Sequence, residues 1–382
     1  MIIIAVCAVV RFQSAPLTIL PRTATLSQPI PDALSLDWPS YGQAAVASST
    51  YGVVATRGNA SPQPTASTAK LITMLAVLKK KPFNDSSGAS ITFTQTDVDR
   101  YVTYVAGNGS VTPVSVGLTW TQYQAMEAVL LGSANNVADS LAVWAFGSLD
   151  AYREYAQRMI EGLGMTHTTV GIDASGYHPT TTSTAADLAL LAREVLKEPM
   201  LRQIVNTKSV ILPGAGLIQN TNRLLGSEVI GMKTGYTPEA GGVFVLAGTQ
   251  NDGEHAQDVI TVVMGAPGTT SSAAQSAAYA LYESAKQNFH YQAIIKKGDT
   301  IASYNPAWSS ATHDAIADNS IGMFVWAGSP PPRVDVSAPV ITDSGKAQAK
   351  VSVVYGSISQ QTTGSMNTSV PSAPWWWRIF GH

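Results

Sequence analysis

Ser67 and Lys70, in the stretch PTASTAKLITMLAVL, have the residue types and spacing of a nucleophile and its base. Residues three apart share one face of a helix, and the apolar residues after Lys70 predict a buried, central helix. Burial favours neutral lysine, which can accept the proton that an attacking serine must lose. The start of a helix also favours developing negative charge. The alternative is a capping serine beside a lysine whose ammonium reaches solvent.

A second polar pair, Ser133 and Asn135, lies in GSANN, where two predicted helices meet. A hydroxyl and an amide at such a junction can face a cleft instead of a core. Ser133 can then relay a proton, and Asn135 can hydrogen-bond a substrate amide. The alternative role is helix capping, which serine and asparagine both perform well.

The third set is Lys233, Thr234 and Gly235 in GMKTGYT, inside a predicted strand. Lysine and threonine can bind a carboxylate through charge and hydroxyl. The glycine lets the backbone of a ligand approach the strand. The alternative is an exposed edge strand protected from aggregation by its lysine.

The three motifs occur in order, with Ser133 66 residues after Ser67 and Lys233 100 residues after Ser133. This set is typical of penicillin-binding proteins and class A β-lactamases. From about Trp38 to Phe289 the chain resembles the D-alanyl-D-alanine carboxypeptidases, the low-molecular-mass penicillin-binding proteins of the serine peptidase type. The similar stretches are PTASTAKLIT, LLGSANNVADSLA, TSTAADLALLA, NTNRLLG and GMKTGYTPEAGG.

The resemblance implies a catalytic role for the first two motifs. Ser67 would be the acylated nucleophile and Lys70 its base. Ser133 and Asn135 would line the opposite wall of the cleft.

It also implies how the substrate is held. Lys233 and Thr234, followed by Gly235, would bind the terminal carboxylate of the peptide. The backbone N–H groups of Ser67 and Tyr236 would form the oxyanion hole.

The implied reaction is attack on the penultimate D-Ala carbonyl of a peptidoglycan stem peptide, release of terminal D-Ala, and hydrolysis of the acyl-enzyme. β-Lactam antibiotics imitate this substrate and would trap Ser67. The reaction needs no metal or organic cofactor. The enzyme would be secreted or membrane-anchored, and the reaction would take place outside the cytoplasm, in the cell envelope.

The chain departs from the family pattern at two places. The middle motif is Ser-Ala-Asn instead of Ser-Asp-Asn, and GIDASGY replaces the usual NPHGL-like loop, so no residue role is carried over there. A DD-endopeptidase and a non-catalytic peptidoglycan-binding protein are alternatives. A β-lactamase is a third, but Glu161, Glu194 and Glu198 fall within predicted helices and form no glutamate motif.

Periodicity predicts the elements that position these motifs within residues 38–290. Strands are expected in GQAAVASSTYGVVATRG before the helices, and in EVIGMKTGY, GGVFVLAGT and DVITVVMGAP after them. Helices between these strands predict an α+β fold, an antiparallel sheet covered by helices. The resemblance implies a β-lactamase/transpeptidase-like domain.

Two flanking regions complete the predicted organisation. Residues 291–362 carry short β-type runs divided by turn residues and predict a small all-β module. The tail 363–382 ends in PWWWRIFGH, which suits either a membrane interface or packing against the β module. Residues 1–37 are expected to be the remnant of an apolar signal or anchor, followed by a proline-rich linker. The alternatives for the run are a first strand or a lipid-attached Cys7.

Composition excludes several classes of protein. Only 13% of the residues are charged and the net charge is −2, so no basic face for nucleic acid is expected. The six histidines form no HExxH motif, which disfavours a zinc peptidase.

Tyr101 and Tyr104, before the glycine-rich AGNGS, are expected in a surface loop, with a border of the cleft as the alternative.

Overall fold

The computed structural model describes residues 17–24, 33–83 and 87–380, so the opening apolar run and Cys7 lie outside the described part. The chain divides into two compact units. The larger is Ser35–Asn288, and the smaller joins the chain up to Leu34 with Phe289–His382. We propose that these units are the two domains of the protein.

A five-stranded antiparallel sheet forms the centre of the larger unit. Its strands, in spatial order, are Val229–Thr237, Gly241–Asp252, His255–Ala266, Gln43–Ser48 and Gly52–Arg57. The predicted hairpin around Lys-Thr-Gly is therefore confirmed, and the strand Val229–Thr237, here called the Lys-Thr-Gly strand, lies at one edge.

Both faces of this sheet are covered. In His255–Ala266, Ile260, Val262 and Met264 belong to the main apolar core. The alternate residue Thr261 instead donates its hydroxyl proton to the carbonyl of Ala278, on the last helix of the unit. Because side chains alternate across a strand, the sheet lies between two helical layers, as the α+β prediction requires.

The described residues of the larger unit form eight α-helices around the sheet, labelled in chain order. They are α1 Lys70–Lys80, α2 Gln95–Ala106, α3 Gln122–Leu130, α4 Asn135–Phe146, α5 Leu149–Gly162, α6 Ala185–Lys197, α7 Pro199–Val205 and α8 Ser272–Lys286. Every residue of α1 from Lys70 to Leu78 is buried. The prediction of a central helix after Ser67 is confirmed.

Short strand pairs complete the larger unit. They are Gln63–Pro64 with Thr182–Ser183, Ser90–Thr92 with Thr119–Thr121, and Ser209–Leu212 with Gly216–Gln219. Pro199, which follows the end of α6, begins α7, because proline suits the first turn of a helix.

The described residues of the smaller unit form β-strands and one terminal helix, Trp375–Phe380. Its six-stranded sheet contains, in spatial order, Arg333–Ser337, Gln348–Tyr355, Ile358–Met366, His313–Ala317, Thr300–Tyr304 and Pro21–Thr23. Two further pairs are Phe289–Ile295 with Ile321–Trp326, and Thr18–Ile19 with Ile341–Thr342.

Two sequence-based boundaries differ from the structure. Residues of the expected linker form strands, because Pro21–Thr23 and Thr18–Ile19 find antiparallel partners about 300 residues further along the chain. The expected start of the tail at residue 363 falls within the strand Ile358–Met366. Within the described residues, no helix has the length and apolar character needed to cross a membrane.

Candidate active site

Ser67 lies in a 3₁₀ turn, Ala66–Ala69, which runs directly into α1 at Lys70. Lys70 Nζ is 2.9 Å from Ser67 Oγ. The Lys70 side chain is completely buried, and this desolvation lowers its pKa to about 7, against the opposing effect of the Asp173 and Asp139 charges. A large neutral fraction at neutral pH lets Lys70 act as a base towards Ser67.

Two further acceptors fix the orientation of the Lys70 amine. Asn135 Oδ1 is 2.7 Å from Nζ, and the carbonyl oxygen of Ser175 is 2.8 Å from it. Both oxygens can only accept hydrogen bonds, so they take the two N–H groups of a neutral amine. The remaining lone pair then points at the hydroxyl of Ser67, which is the geometry required for proton abstraction.

The Ser-x-Asn motif lies at the junction between α3 and α4, as predicted. Asn135 is the first residue of α4, and its N–H donates to the carbonyl of Ser110. Ser133 is buried in a left-handed conformation with φ 61°. In the described structure Lys70 bonds Asn135 but not Ser133, so the motif is brought to the site through its asparagine.

The Lys-Thr-Gly strand packs against the turn that carries Ser67. A Cβ added to Gly235 would lie 3.0 Å from the backbone nitrogen of Ser67 and 3.1 Å from Ala66 Cβ. The glycine therefore lets the strand approach the turn that carries the nucleophile so closely. The side chain of Thr234, one residue before the glycine, bonds the hydroxyl of Thr221 at 2.7 Å.

Lys233 is buried within this strand, so the alternative of an exposed protective lysine is wrong. Its Nζ donates to the carbonyl of Thr234 at 3.0 Å. Burial, and then the charge of Lys70, lower its pKa well below the usual value. The ion pairs found among the described residues do not include Lys233. A carboxylate bound beside this amine would favour its protonated form.

Tyr236 follows Gly235 in the same strand and pairs with Gly242 of the neighbouring strand. Because Gly235 approaches the turn that carries Ser67, Tyr236 lies at the part of the strand that contacts this turn. Its role as an oxyanion donor together with Ser67 stays a prediction.

Behind Lys70 lies a polar network that was not predicted from the sequence. Tyr104 donates its hydroxyl proton to Asp139 Oδ2 at 2.7 Å, and Asp139 Oδ1 accepts the N–H of Ala174 at 2.9 Å. Tyr104 is buried at the end of α2, so the expected surface loop is wrong for this residue. A signal was available, because Asp139 is one helical turn after Asn135, shares its face and lies in a mainly apolar helix.

The segment GIDASGY supplies the turn that holds Ser175. Asp173 accepts the N–H groups of Ser175, Gly176 and His178 at 3.3, 2.8 and 2.7 Å. Gly176 has φ 71°, and a Cβ there would lie 2.1 Å from the carbonyl oxygen of Ala66. The turn 173–178, here called the Ser175 turn, therefore packs directly on the 3₁₀ turn that carries the nucleophile.

Comparison with known families agrees with this geometry. The family model described as D-alanyl-D-alanine carboxypeptidase matches residues 40–268. The chain belongs to this family. The family predicted from the three motifs is confirmed.

Individual relatives give the same result. The D-alanyl-D-alanine carboxypeptidase DacB2 of Mycobacterium tuberculosis is 30% identical over 228 residues, which are 58% of this chain and 72% of the relative. The solved D-alanyl-D-alanine carboxypeptidase from M. tuberculosis H37Rv is 26% identical and covers 69% of this chain and 94% of its own, with a TM-score of 0.54.

A second solved structure matches residues of both units. PBP3 from Streptococcus pneumoniae, described as a peptidoglycan synthesis regulatory factor, covers 89% of this chain and 100% of its own with a TM-score of 0.65. At 19% identity this likeness concerns the fold alone. The predicted fold class, a transpeptidase-like α+β domain with a β module, is confirmed.

Proposed function

We propose that this protein is a serine-type D-alanyl-D-alanine carboxypeptidase, which removes the terminal D-Ala of peptidoglycan stem peptides through an acyl-enzyme on Ser67. The observation that carries the proposal is the Lys70–Ser67 pair at 2.9 Å, enclosed by the Lys-Thr-Gly strand. Family membership supports the same reaction.

Acylation begins when Lys70 takes the hydroxyl proton of Ser67 and Oγ attacks the penultimate D-Ala carbonyl. The N–H groups of Ser67 and Tyr236 stabilise the oxyanion. As the C–N bond breaks, the leaving D-Ala amine receives a proton from the protonated Lys70, relayed by Ser133. Water then attacks the ester, Lys70 accepts its proton, and Ser67 is restored.

The terminal carboxylate of the substrate binds at the third motif. Lys233 provides a buried amine that is cationic when protonated, Thr234 provides a hydroxyl, and Gly235 lets the strand lie close to the turn that carries Ser67. A carboxylate next to Lys233 also offsets the cost of burying that cation, so binding selects peptides with a free terminus.

The structure offers nothing that favours a β-lactamase. The three glutamates considered from the sequence bond elsewhere: Glu161 accepts from Gln157, Glu194 pairs with Lys197, and Glu198 pairs with Lys79. A non-catalytic binding protein is disfavoured because Ser67 and Lys70 are already in bonding distance.

The partners follow from this chemistry. They are peptidoglycan stem peptides as substrates and β-lactam antibiotics as covalent inhibitors, in an extracytoplasmic setting.

Association with a membrane through a terminus is a further proposal, supported by the exposed Trp375, Trp376 and Phe380 of the last helix. Co-sedimentation of the full chain with lipid vesicles tests it, and a chain that stays in the supernatant contradicts it.

A digest of muropeptides tests the proposed activity. A pentapeptide ending in D-Ala-D-Ala should lose one D-Ala by mass spectrometry, and Ser67→Ala should abolish this loss because no acyl-enzyme forms. The exposed Ser61→Ala is the matched control and should retain full activity. Release of D-Ala by Ser67→Ala, or cleavage of cross-linked dimers in place of the terminal bond, would overturn the assignment.

A further inference from the structure

Asp139 is a buried carboxylate that the proposed reaction does not use. It is 5% exposed on α4, and burial raises its pKa to about 6. The ion pairs among the described residues do not include it, although the charge of Lys70 acts on it from nearby. Burying such a group costs several kcal/mol unless its oxygens are well bonded, and perturbed groups of this kind cluster at functional sites.

Both oxygens of Asp139 hold groups from other parts of the fold. Oδ2 accepts the hydroxyl of Tyr104, at the end of α2, and Oδ1 accepts the N–H of Ala174. The Tyr104 hydroxyl is also 3.4 Å from Ser175 Oγ. Asp139 and Tyr104 thus tie the Ser175 turn to two helices at two adjacent residues.

The Ser175 turn contacts Lys70, the catalytic base, directly. The carbonyl that accepts from Lys70 Nζ at 2.8 Å belongs to Ser175, the residue after Ala174. That carbonyl and Asn135 Oδ1 take the two N–H groups of neutral Lys70, which leaves the lone pair for Ser67. If the turn moved by even 1 Å, the lone pair would lose this direction, and such misplacement can cost about 100-fold in rate.

We propose that Asp139 and Tyr104 are a positioning pair, which holds the Ser175 carbonyl against Lys70 and so directs the base at Ser67. This inference rests on the proposed function, since it assumes that Lys70 activates Ser67. In the described structure the hydrogen bonds of the two side chains go to each other and to the Ser175 turn and not to Ser67, so the pair acts through the turn.

Tyr104→Phe isolates the positioning effect, because it removes one hydroxyl and keeps the ring. The rate constant for acylation of Ser67 by a fluorescent penicillin should fall about tenfold, which is part of the roughly 10²–10⁴-fold that a well-positioned base contributes. The matched control is Tyr282→Phe, another buried tyrosine, whose hydroxyl bonds the carbonyl of Thr249 in the sheet. It should lose similar thermal stability and acylate at the wild-type rate.

Asp139→Asn adds a signature that a purely structural role would not produce. The charged or titratable groups that face Lys70 are Asp139 from α4, Asp173 from the Ser175 turn, and Lys233 from the Lys-Thr-Gly strand. Removing the Asp139 charge lowers the pKa of Lys70 further. The acid limb of the acylation rate should therefore shift to lower pH while the plateau falls.

The two variants, the control and the wild type are compared from pH 5 to 9, with melting temperatures measured alongside. If Tyr104→Phe acylates as fast as Tyr282→Phe, the positioning role is overturned, and this arm decides alone if Asp139→Asn does not fold. An unmoved acid limb in folded Asp139→Asn would also contradict the proposal. A wild-type protein that forms no adduct on Ser67 would overturn the proposed function itself and the inference with it.

Discussion

At the residue scale, the chemistry depends on how burial and hydrogen bonding act on one amine. Lys70 is fully buried, and its three contacts leave Ser67 as the one partner able to donate a proton to it. The sequence predicted Ser67 and Lys70 as neighbours because a helix places i and i+3 on one face, and the family resemblance implied that Asn135 lines the opposite wall of the cleft. It did not predict the Ser175 carbonyl, since a backbone acceptor carries no signal in residue type.

The pH dependence of acylation tests the state of this amine. Only neutral Lys70 can accept the proton, and its pKa is lowered to about 7, so the rate should rise as pH increases through about 7 and level off above. Stopped-flow measurement of penicillin acylation follows this directly. Lys70→Arg keeps the charge without a neutral form and should acylate poorly at every pH. A wild-type rate that is constant from pH 5 to 9 would contradict the role of Lys70.

At the element scale, the elements with strong periodicity were predicted and those held by tertiary contacts were not. The central helix and the hairpin of the Lys-Thr-Gly strand follow from apolar patterns. Helix α2 was missed because its sequence, QTDVDRYVTYVA, is mainly polar, and a capping box of Thr94 with Asp97 helps to define its start. The Ser175 turn was missed because its structure comes from one aspartate and packing on Ala66.

Gly176→Ala tests how the Ser175 turn meets the nucleophile. The new Cβ would lie 2.1 Å from the carbonyl oxygen of Ala66, so the turn must move away and Ser175 must leave Lys70. We expect acylation to slow by about 100-fold. Gly164→Ala is the control, because Gly164 has a similar φ of 80° with nothing within 4 Å of the added Cβ. It should lose about 1 kcal/mol of stability and acylate normally; equal rates in the two variants would refute the packing argument.

At the scale of the whole molecule, the change of sequence character near residue 290 marked the β module correctly in kind. The module also takes strands from residues 17–24, through pairs such as Thr18 with Thr342. Local patterns could not reveal these pairs because the partners are so distant in sequence. The exposed terminal tryptophans were noted from the sequence, and Trp377 packs edge-on against Trp308. The tail therefore both packs on the module and presents aromatic side chains outward.

The most direct test of the account is to treat the intact protein with a penicillin and find the modified residue by mass spectrometry. Trypsin should release residues 58–70, which contain both Ser61 and Ser67, and fragmentation separates the two. The account predicts the adduct on Ser67, lost in Ser67→Ala and kept in Ser61→Ala. An adduct elsewhere, or a folded protein that neither forms an adduct nor consumes the penicillin, would contradict it.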